Sequence, residues 1–204
     1  MKGYYGTHIS ERTTKMGNIL SFSTLPYRMC RKDVELPCAE NCYAAKICRL
    51  RKTVAKAWGD NTAMLENGLH ANVASDIIDA IKFRHAKLFR WFVGGDIHDV
   101  GILEMMISVA RACPETRFMC FTKFYDLVEE HHERIPGNLN IVLSAWKELQ
   151  PTDAQKKLFA VCYYNDGEED CQVPVDATVC GGDCEHCQLC FNMKAGEAVT
   201  IWRH

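Results

Sequence analysis

Residues 87–95 read KLFRWFVGG, a short and almost continuous apolar run that ends in two glycines. Continuous apolar character is typical of a strand that is covered on both faces, as in a parallel sheet, whereas a strand with one wet face alternates. Five other stretches share this character. They are NILSFSTL at 18–25, TRFMCFTK at 116–123, LNIVLSAW at 139–146, KLFAVCYY at 157–164 and AVTIWRH at 198–204. The sequence therefore predicts six strands.

Stretches with apolar residues at helical spacing lie between several of these strands. They are residues 42–58, 65–86, 100–112 and 125–134. Strand and helix alternate, which predicts an α/β fold with a parallel sheet similar to a partial (β/α)6 barrel. We expect one domain over residues 1–204, in which 165–204 combine a cysteine-rich, cluster-binding segment with the final strand.

Composition excludes several classes of protein. Of the 204 residues, 48% are hydrophobic and 25% are charged, which is ordinary for a globular domain and argues against disorder. The net charge of −2 is unlike that of a dedicated DNA-coating protein, so nucleic acid is a possible partner that charge does not indicate. No apolar run approaches the roughly 18 residues that span a bilayer, and the start lacks a signal-peptide core. These features predict a cytoplasmic protein that has no contact with a membrane.

Cysteine is the unusual residue of this chain. Its 12 cysteines are about 6% of the residues, below the roughly 8–10% of small disulfide scaffolds. In a reducing cytoplasm, thiols at short spacings are better explained as ligands, because thiolates bind soft metals tightly. The cysteines therefore carry the first hypothesis about function.

Four cysteines lie within VCGGDCEHCQLC, at gaps of three, two and two residues; this C-terminal cysteine group is Cys180, Cys184, Cys187 and Cys190. Such spacing is typical of ferredoxin clusters and predicts a metal or [4Fe-4S] site. Structural zinc is the alternative, because four cysteines are also a common zinc site. Spacing alone does not choose between iron and zinc.

A second set precedes the helix-like stretch at 42–58. This N-terminal cysteine group is Cys30, Cys38 and Cys42. A loop that enters a helix N-terminus suits thiolates or an anionic cluster, since the backbone amides there are free. Cys48 lies on another face of that helix and is left out of the ligand set. The alternative is that these are buried structural thiols.

The other cysteines give weaker signals. Cys113, Cys120 and Cys162 lie in apolar stretches and are predicted to be core residues. Cys171, in the acidic loop NDGEEDCQVP, is either a further ligand of the C-terminal cysteine group or an exposed thiol.

Polar residues follow the predicted strands. Gly94, Gly95 and Asp96 end the second strand, and Lys123 ends the third. Ligands of parallel α/β folds gather at the carboxyl ends of the strands, so these residues should share one rim with the N-terminal cysteine group. The two glycines permit close backbone approach to a ligand. A simple acidic turn is the alternative.

The order of these motifs resembles the phage and bacterial gene product 88 family. The resemblance rests on TKMGNILSFSTLP, Cys30, Cys38, CYAAK, Asn61, VGGDIHD, FTK, LSAW and the closing CxxCxxC, and extends over residues 14–191. It implies a cysteine-rich phage-type protein, which would work in the host cytoplasm, and it supplies no reaction.

A looser likeness is to radical S-adenosylmethionine enzymes, whose partial barrel holds a three-cysteine [4Fe-4S] cluster. That likeness implies that Cys30, Cys38 and Cys42 bind the cluster, and that the Gly94–Asp96 stretch meets the amine of S-adenosylmethionine. The gaps here are seven and three residues, instead of the usual three and two.

Three functions remain open at this point. The first is a small enzyme with radical-type oxidoreductase or lyase chemistry. The second is a non-enzymatic iron–sulfur protein with a structural or redox role. The third is a structural zinc protein that interacts with nucleic acid or a protein partner.

Overall fold

The computed structural model describes residues 6–12, 16–34, 36, 38–165, 167 and 172–202. Its centre is an eight-stranded sheet in the order β1-β2-β3-β4-β5-β6-β8-β7. The strands are β1 (Ile9–Ser10), β2 (Leu20–Phe22), β3 (Leu88–Trp91), β4 (Arg117–Thr122), β5 (Leu139–Ala145), β6 (Ala160–Asn165), β7 (Thr178–Val179) and β8 (Ala198–Trp202). Cys171 lies outside the described residues.

All six predicted strands are confirmed, and they pair in parallel in the order in which they occur in the chain. The sequence prediction missed two edge strands of two residues each: β1, antiparallel to β2, and β7, parallel to β8. Strands this short carry no periodicity that a pattern could detect. Within the described residues the sheet runs from one edge to the other, and closure into a barrel is not shown.

Eight α-helices are described. They are α1 (Tyr43–Leu50), α2 (Lys52–Glu66), α3 (His70–Arg84), α4 (Val100–Ala112), α5 (Tyr125–Glu130), α6 (Asp153–Leu158), α7 (Cys184–Cys187) and α8 (Leu189–Asn192). None of them is both long and apolar enough to cross a bilayer.

The helix predicted over 100–112 is confirmed as α4, but other boundaries differ. The stretch 42–58 breaks at Arg51, which is extended (φ −125°, ψ 94°), although no glycine or proline announces the break. The predicted start at residue 65 is wrong, because α2 continues to Glu66 and α3 begins at His70. Gly68 lies between the two helices with φ +73°, a backbone conformation that ends a helix. The stretch 125–134 divides into α5 and a 3-10 turn at His132–Arg134.

Different parts of the chain pack against the two faces of the sheet. On the first face, strand residues such as Phe22, Phe89 and Trp91, none of them exposed, pack against α2, α3 and α4 in the main core. On the second face, Met119 and Val142 pack against the C-terminal segment that carries α7 and α8. The sheet is therefore covered on both sides, as its continuous apolar strands require.

A buried asparagine holds the start of the sheet to the helices. Asn61 on α2 is unexposed, and its side-chain amide donates to the carbonyl oxygens of Ser23 (2.8 Å) and His8 (2.9 Å). Its oxygen accepts from the backbone N–H of His8 at 2.8 Å. This side chain fixes the carboxyl end of β2, from which the N-terminal cysteine group departs.

Candidate metal centres

The C-terminal cysteine group is built from β7 and two single-turn helices. Cys180 directly follows β7, and its N–H donates to the carbonyl of Thr200 on β8 at 2.8 Å. Asp183 caps α7 by accepting from the N–H of His186 at 3.3 Å, and it pairs with the His186 ring at 2.8 Å. The cap starts a helix whose first and last residues are Cys184 and Cys187. Local capping thus brings these two thiols within one turn of each other.

Tertiary packing fixes this segment on the second face of the sheet. The side-chain amide of Asn140 on β5 donates to the carbonyl of Cys190 at 2.8 Å. Phe191 and Met193 are only 4% and 6% exposed, and they insert beside Met119 and Val142. The end of the cysteine-rich segment is therefore anchored in the core through Phe191 and Met193.

One small cavity is lined by all four residues of the C-terminal cysteine group. Its volume is about 40 Å³. It lies between the sheet and α7–α8, and its walls include Arg90 on β3, the apolar side chains of Met119 and Leu189, and the group itself: Cys180, Cys184, Cys187 and Cys190. The four residues that spacing predicted as ligands are thus placed around one space.

The environment of Cys190 favours the neutral form of its thiol in the absence of a cation. Burial raises the pKa of Cys190 to about 12, and Cys180 and Cys184 add to the shift. Burial also raises the pKa of the neighbouring Cys162. Within the part of the chain that the structure describes, no three His, Cys, Asp or Glu side chains are already arranged around a metal position. Binding of a metal here would require deprotonation of the thiols and movement of the sulfurs toward a common centre.

The N-terminal cysteine group lies at the carboxyl end of β2. The N–H of Tyr27 donates to the sulfur of Cys30 at 3.4 Å. Burial raises the pKa of Cys30 and of Cys38, and the charges of Cys42 and Asp96 act in the same direction, while Lys123 opposes them. The charges of Asp96 and Lys123, which follow β3 and β4, thus act on the thiols of this group.

Asp96 has a structural role that the sequence did not reveal. It is 3% exposed, and its two carboxylate oxygens accept from the N–H of Ile97 at 2.7 Å and of Lys123 at 3.0 Å. The second bond joins the end of β3 to the end of β4. Burial raises the pKa of Asp96, and the Lys123 ammonium opposes that rise.

The two glycines before Asp96 are packed against protein. Gly95 has φ +93°, and a Cβ there would lie 1.9 Å from the hydroxyl oxygen of Thr24. A Cβ on Gly94 would lie 2.6 Å from the Trp58 ring. Protein side chains, those of Thr24 and Trp58, therefore approach the backbone closely at these two glycines. Contact of Gly94, Gly95 or Asp96 with a cofactor stays a prediction.

We expect Asp96→Asn to lower the free energy of unfolding by about 1–3 kcal/mol. An asparagine has one accepting oxygen, so its NH2 group would face either the Ile97 or the Lys123 N–H and leave that buried donor unpaired. Urea unfolding measures the change. Asp99→Asn is the matched control, since Asp99 caps α4 by accepting a single N–H bond, from Ile102 at 3.0 Å, and asparagine caps equally well. Equal stability of the two variants would contradict the structural role of Asp96.

Sequence reasoning missed two residues that lie between the cysteine groups. The hydroxyl of Tyr43, directly after Cys42, donates to the carbonyl of Val93. Arg90 was detectable in principle, because it is the one charged residue within the apolar run LFRWFV. A charge in a strand that is covered on both faces needs a partner.

A larger cleft adjoins the C-terminal segment and shares Phe191 with the small cavity. Its volume is about 480 Å³, and it opens at the amino ends of β4, β5 and β6. Arg117, His132, Phe159 and Lys194 are among its lining residues, which include no cysteine. This cleft is the larger of the two spaces, but only the smaller cavity is lined by cysteines. We therefore take the smaller cavity as the candidate site.

Comparison with known proteins gives one family. The chain matches the family model described as gene product 88 over residues 6–189. No curated protein and no solved structure matches it. These findings add no support to the likeness to radical S-adenosylmethionine enzymes. The family match includes the N-terminal cysteine group, the rim and all but the last cysteine of the C-terminal group. Because it covers most of the sequence, the chain belongs to the gene product 88 family.

Proposed function

We propose that this chain is an iron–sulfur protein of phage type whose C-terminal cysteine group binds a [4Fe-4S] cluster. One observation carries the proposal: Cys180, Cys184, Cys187 and Cys190 line a single cavity against the second face of the sheet. Four thiols in a largely apolar enclosure are the donor set that iron–sulfur clusters use.

The residues of the chain would hold the cluster in a defined way. The bonds from Cys180 to Thr200 and from Asn140 to Cys190 fix the backbone at both ends of the group. The apolar side chains of Met119 and Leu189 in the wall would limit the access of water to the metal, which favours its binding by thiolates. When bound, the cluster supplies one-electron chemistry and a link between the C-terminal segment and the sheet.

A second candidate function is enzymatic, with the N-terminal cysteine group as a further cluster site. It is supported by the position of Cys30, Cys38 and Cys42 on one rim with Asp96 and Lys123, and by the strand order of the sheet, which is that expected of a partial barrel. Three cysteines leave one iron of a cluster without a protein ligand, and S-adenosylmethionine is the cofactor for that position. On this proposal Lys123 would attract a carboxylate at the rim.

Structural zinc in the C-terminal group is the alternative metal. It uses the same four ligands and makes the chain an interaction module for nucleic acid or a protein partner. The basic residues of the first two helices support such a surface: Lys46, Arg49, Lys52 and Lys56.

The test is anaerobic purification followed by iron, sulfide and zinc analysis, with electron paramagnetic resonance of the reduced protein. Iron and sulfide in equal amounts are expected, and zinc without sulfide would overturn the iron–sulfur proposal. A spectrum that changes on addition of S-adenosylmethionine would support the enzyme, and loss of that change in Cys38→Ala would assign it to the N-terminal group. If iron is present but the spectrum does not change on addition of S-adenosylmethionine, the non-enzymatic function is supported.

A further inference from the structure

We infer that Arg90 is the charge-balancing and positioning residue of the C-terminal cysteine group, and that its guanidinium donates to the thiolates of the metal centre. The inference rests on the proposed metal binding and deepens it, because it names the residue beyond the ligands that makes the site stable. It does not depend on whether the metal is an iron–sulfur cluster or zinc.

The position of Arg90 in the sheet is the first observation. Its neighbours in β3, Phe89 and Trp91, have no exposed surface and belong to the helix-covered core. Because side chains alternate along a strand, Arg90 projects from the second face. There it forms part of the wall of the cavity that holds all four cysteines. The charge therefore lies beside the predicted ligands.

The contacts of Arg90 are the second observation. One terminal nitrogen donates to the Met16 sulfur at 3.4 Å, and the guanidinium carbon lies 5.4 Å from the centre of the Phe121 ring. Its Nε is buried and has no hydrogen-bond partner among the described residues. A thioether is a weak acceptor and an aromatic face carries no net charge. No carboxylate of the described residues forms an ion pair with this arginine.

An arginine in such a place is costly unless an anion joins it. A partly buried charge loses hydration, and an unpaired buried donor adds a further penalty. Four thiolates outweigh the charge of a divalent metal, so the filled site is an anion. The planar guanidinium offers five donors, and hydrogen bonds to ligand sulfurs are among the interactions that tune such centres. The filled site therefore supplies the counter-charge that Arg90 lacks.

The test compares Arg90→Met with Arg117→Met in the full chain as purified with its metal. Methionine keeps the apolar stem and removes the charge. Arg117 is an exposed arginine on the neighbouring strand β4 and lines the other cleft, so it serves as the control. We expect release of the metal to a chelator to be about 10–100-fold faster in Arg90→Met, and unchanged in Arg117→Met. If iron is bound, the reduction potential should also fall, because the reduced cluster loses a neighbouring positive charge.

Metal-free protein separates this role from simple packing. Without metal, Arg90→Met should be at least as stable as the parent protein, since an unpaired charge has been removed, whereas with metal it should be less stable. A packing role predicts a loss of stability in both forms and would overturn the inference.

The remaining outcomes are equally decisive. Release at the parental rate from a metal-loaded Arg90→Met would overturn the role of Arg90 alone, and absence of metal from the parent protein would overturn the proposed function as well. Arg90→Gln repeats the test with a neutral side chain of similar length. Failure of both neutral variants to fold would show that the charge supports the metal-free fold, which contradicts the inference.

Discussion

A Cys187→Ala variant is expected to lose the metal of the C-terminal cysteine group and to melt at a lower temperature than the parent protein. Mutation of a residue that hydrogen-bonds to a metal ligand commonly weakens metal binding about 10–100-fold. Loss of a ligand itself should therefore weaken metal binding by more than about 100-fold. A hundredfold change corresponds to about 2.7 kcal/mol of stabilisation by bound metal. For a chain of this length, that amounts to about 5–10 °C in the melting temperature.

The exposure of Cys187 makes this variant informative. Cys187 is the exposed member of its group, so alanine removes little packing, and a large effect has to come from the lost thiolate. Elemental analysis and thermal melting, each with and without a chelator, measure the two quantities. Cys48→Ala is the control, because Cys48 is a half-buried residue of α1 outside both proposed ligand sets. Unchanged metal content and melting in Cys187→Ala would contradict the assignment of Cys187 as a ligand.

The second large effect is expected at the end of β3. Gly95→Ala should lower the free energy of unfolding by about 2–5 kcal/mol, the sum of a strained backbone and a steric overlap. Gly95 has φ +93°, and the added Cβ would lie 1.9 Å from the Thr24 hydroxyl oxygen. Thr24 cannot withdraw freely, because it is fully buried and its N–H donates to the Gly94 carbonyl at 2.9 Å.

Gly59→Ala provides the matched comparison for Gly95→Ala. Gly59 lies inside α2, and a Cβ there would meet only Leu25, at 3.8 Å. Alanine should therefore stabilise the protein by about 0.5–1 kcal/mol, since it reduces the freedom of the unfolded chain. Urea midpoints at constant slope give both values. If Gly95 served only to meet a cofactor, its alanine variant would be as stable as the parent protein and would lose binding alone.

The strands could be predicted because their signal is local. KLFRWFVGG, TRFMCFTK and LNIVLSAW each carry enough consecutive apolar residues to require burial on both faces. The break at Arg51 could not be predicted, since the surrounding residues are good helix formers and no glycine or proline marks it. Strand β7 has only two residues and exists because β8 offers a free edge to it.

The proximity of the four C-terminal cysteines was predictable for a similar reason. Cysteines at gaps of two and three residues can be brought together by a few backbone turns, so their spacing alone predicts that they lie close to one another. Asp96 was identified from its place after a strand, but its bond to the Lys123 N–H joins residues 27 positions apart. Spacing along the sequence cannot predict a contact between residues so far apart in the chain.

What the sequence by itself determined is the six predicted strands and the cysteine groups, because hydrophobic pattern and ligand spacing are properties of neighbouring residues. Only the tertiary structure decided that the C-terminal segment covers the second face of the sheet and that Arg90 lies beside its four cysteines. Arg90 and Cys190 are a hundred positions apart in the chain. Their proximity depends on the strand order of the whole sheet and on the segment that covers its second face. Burial in this place leaves the Arg90 charge without an anionic partner among the described residues.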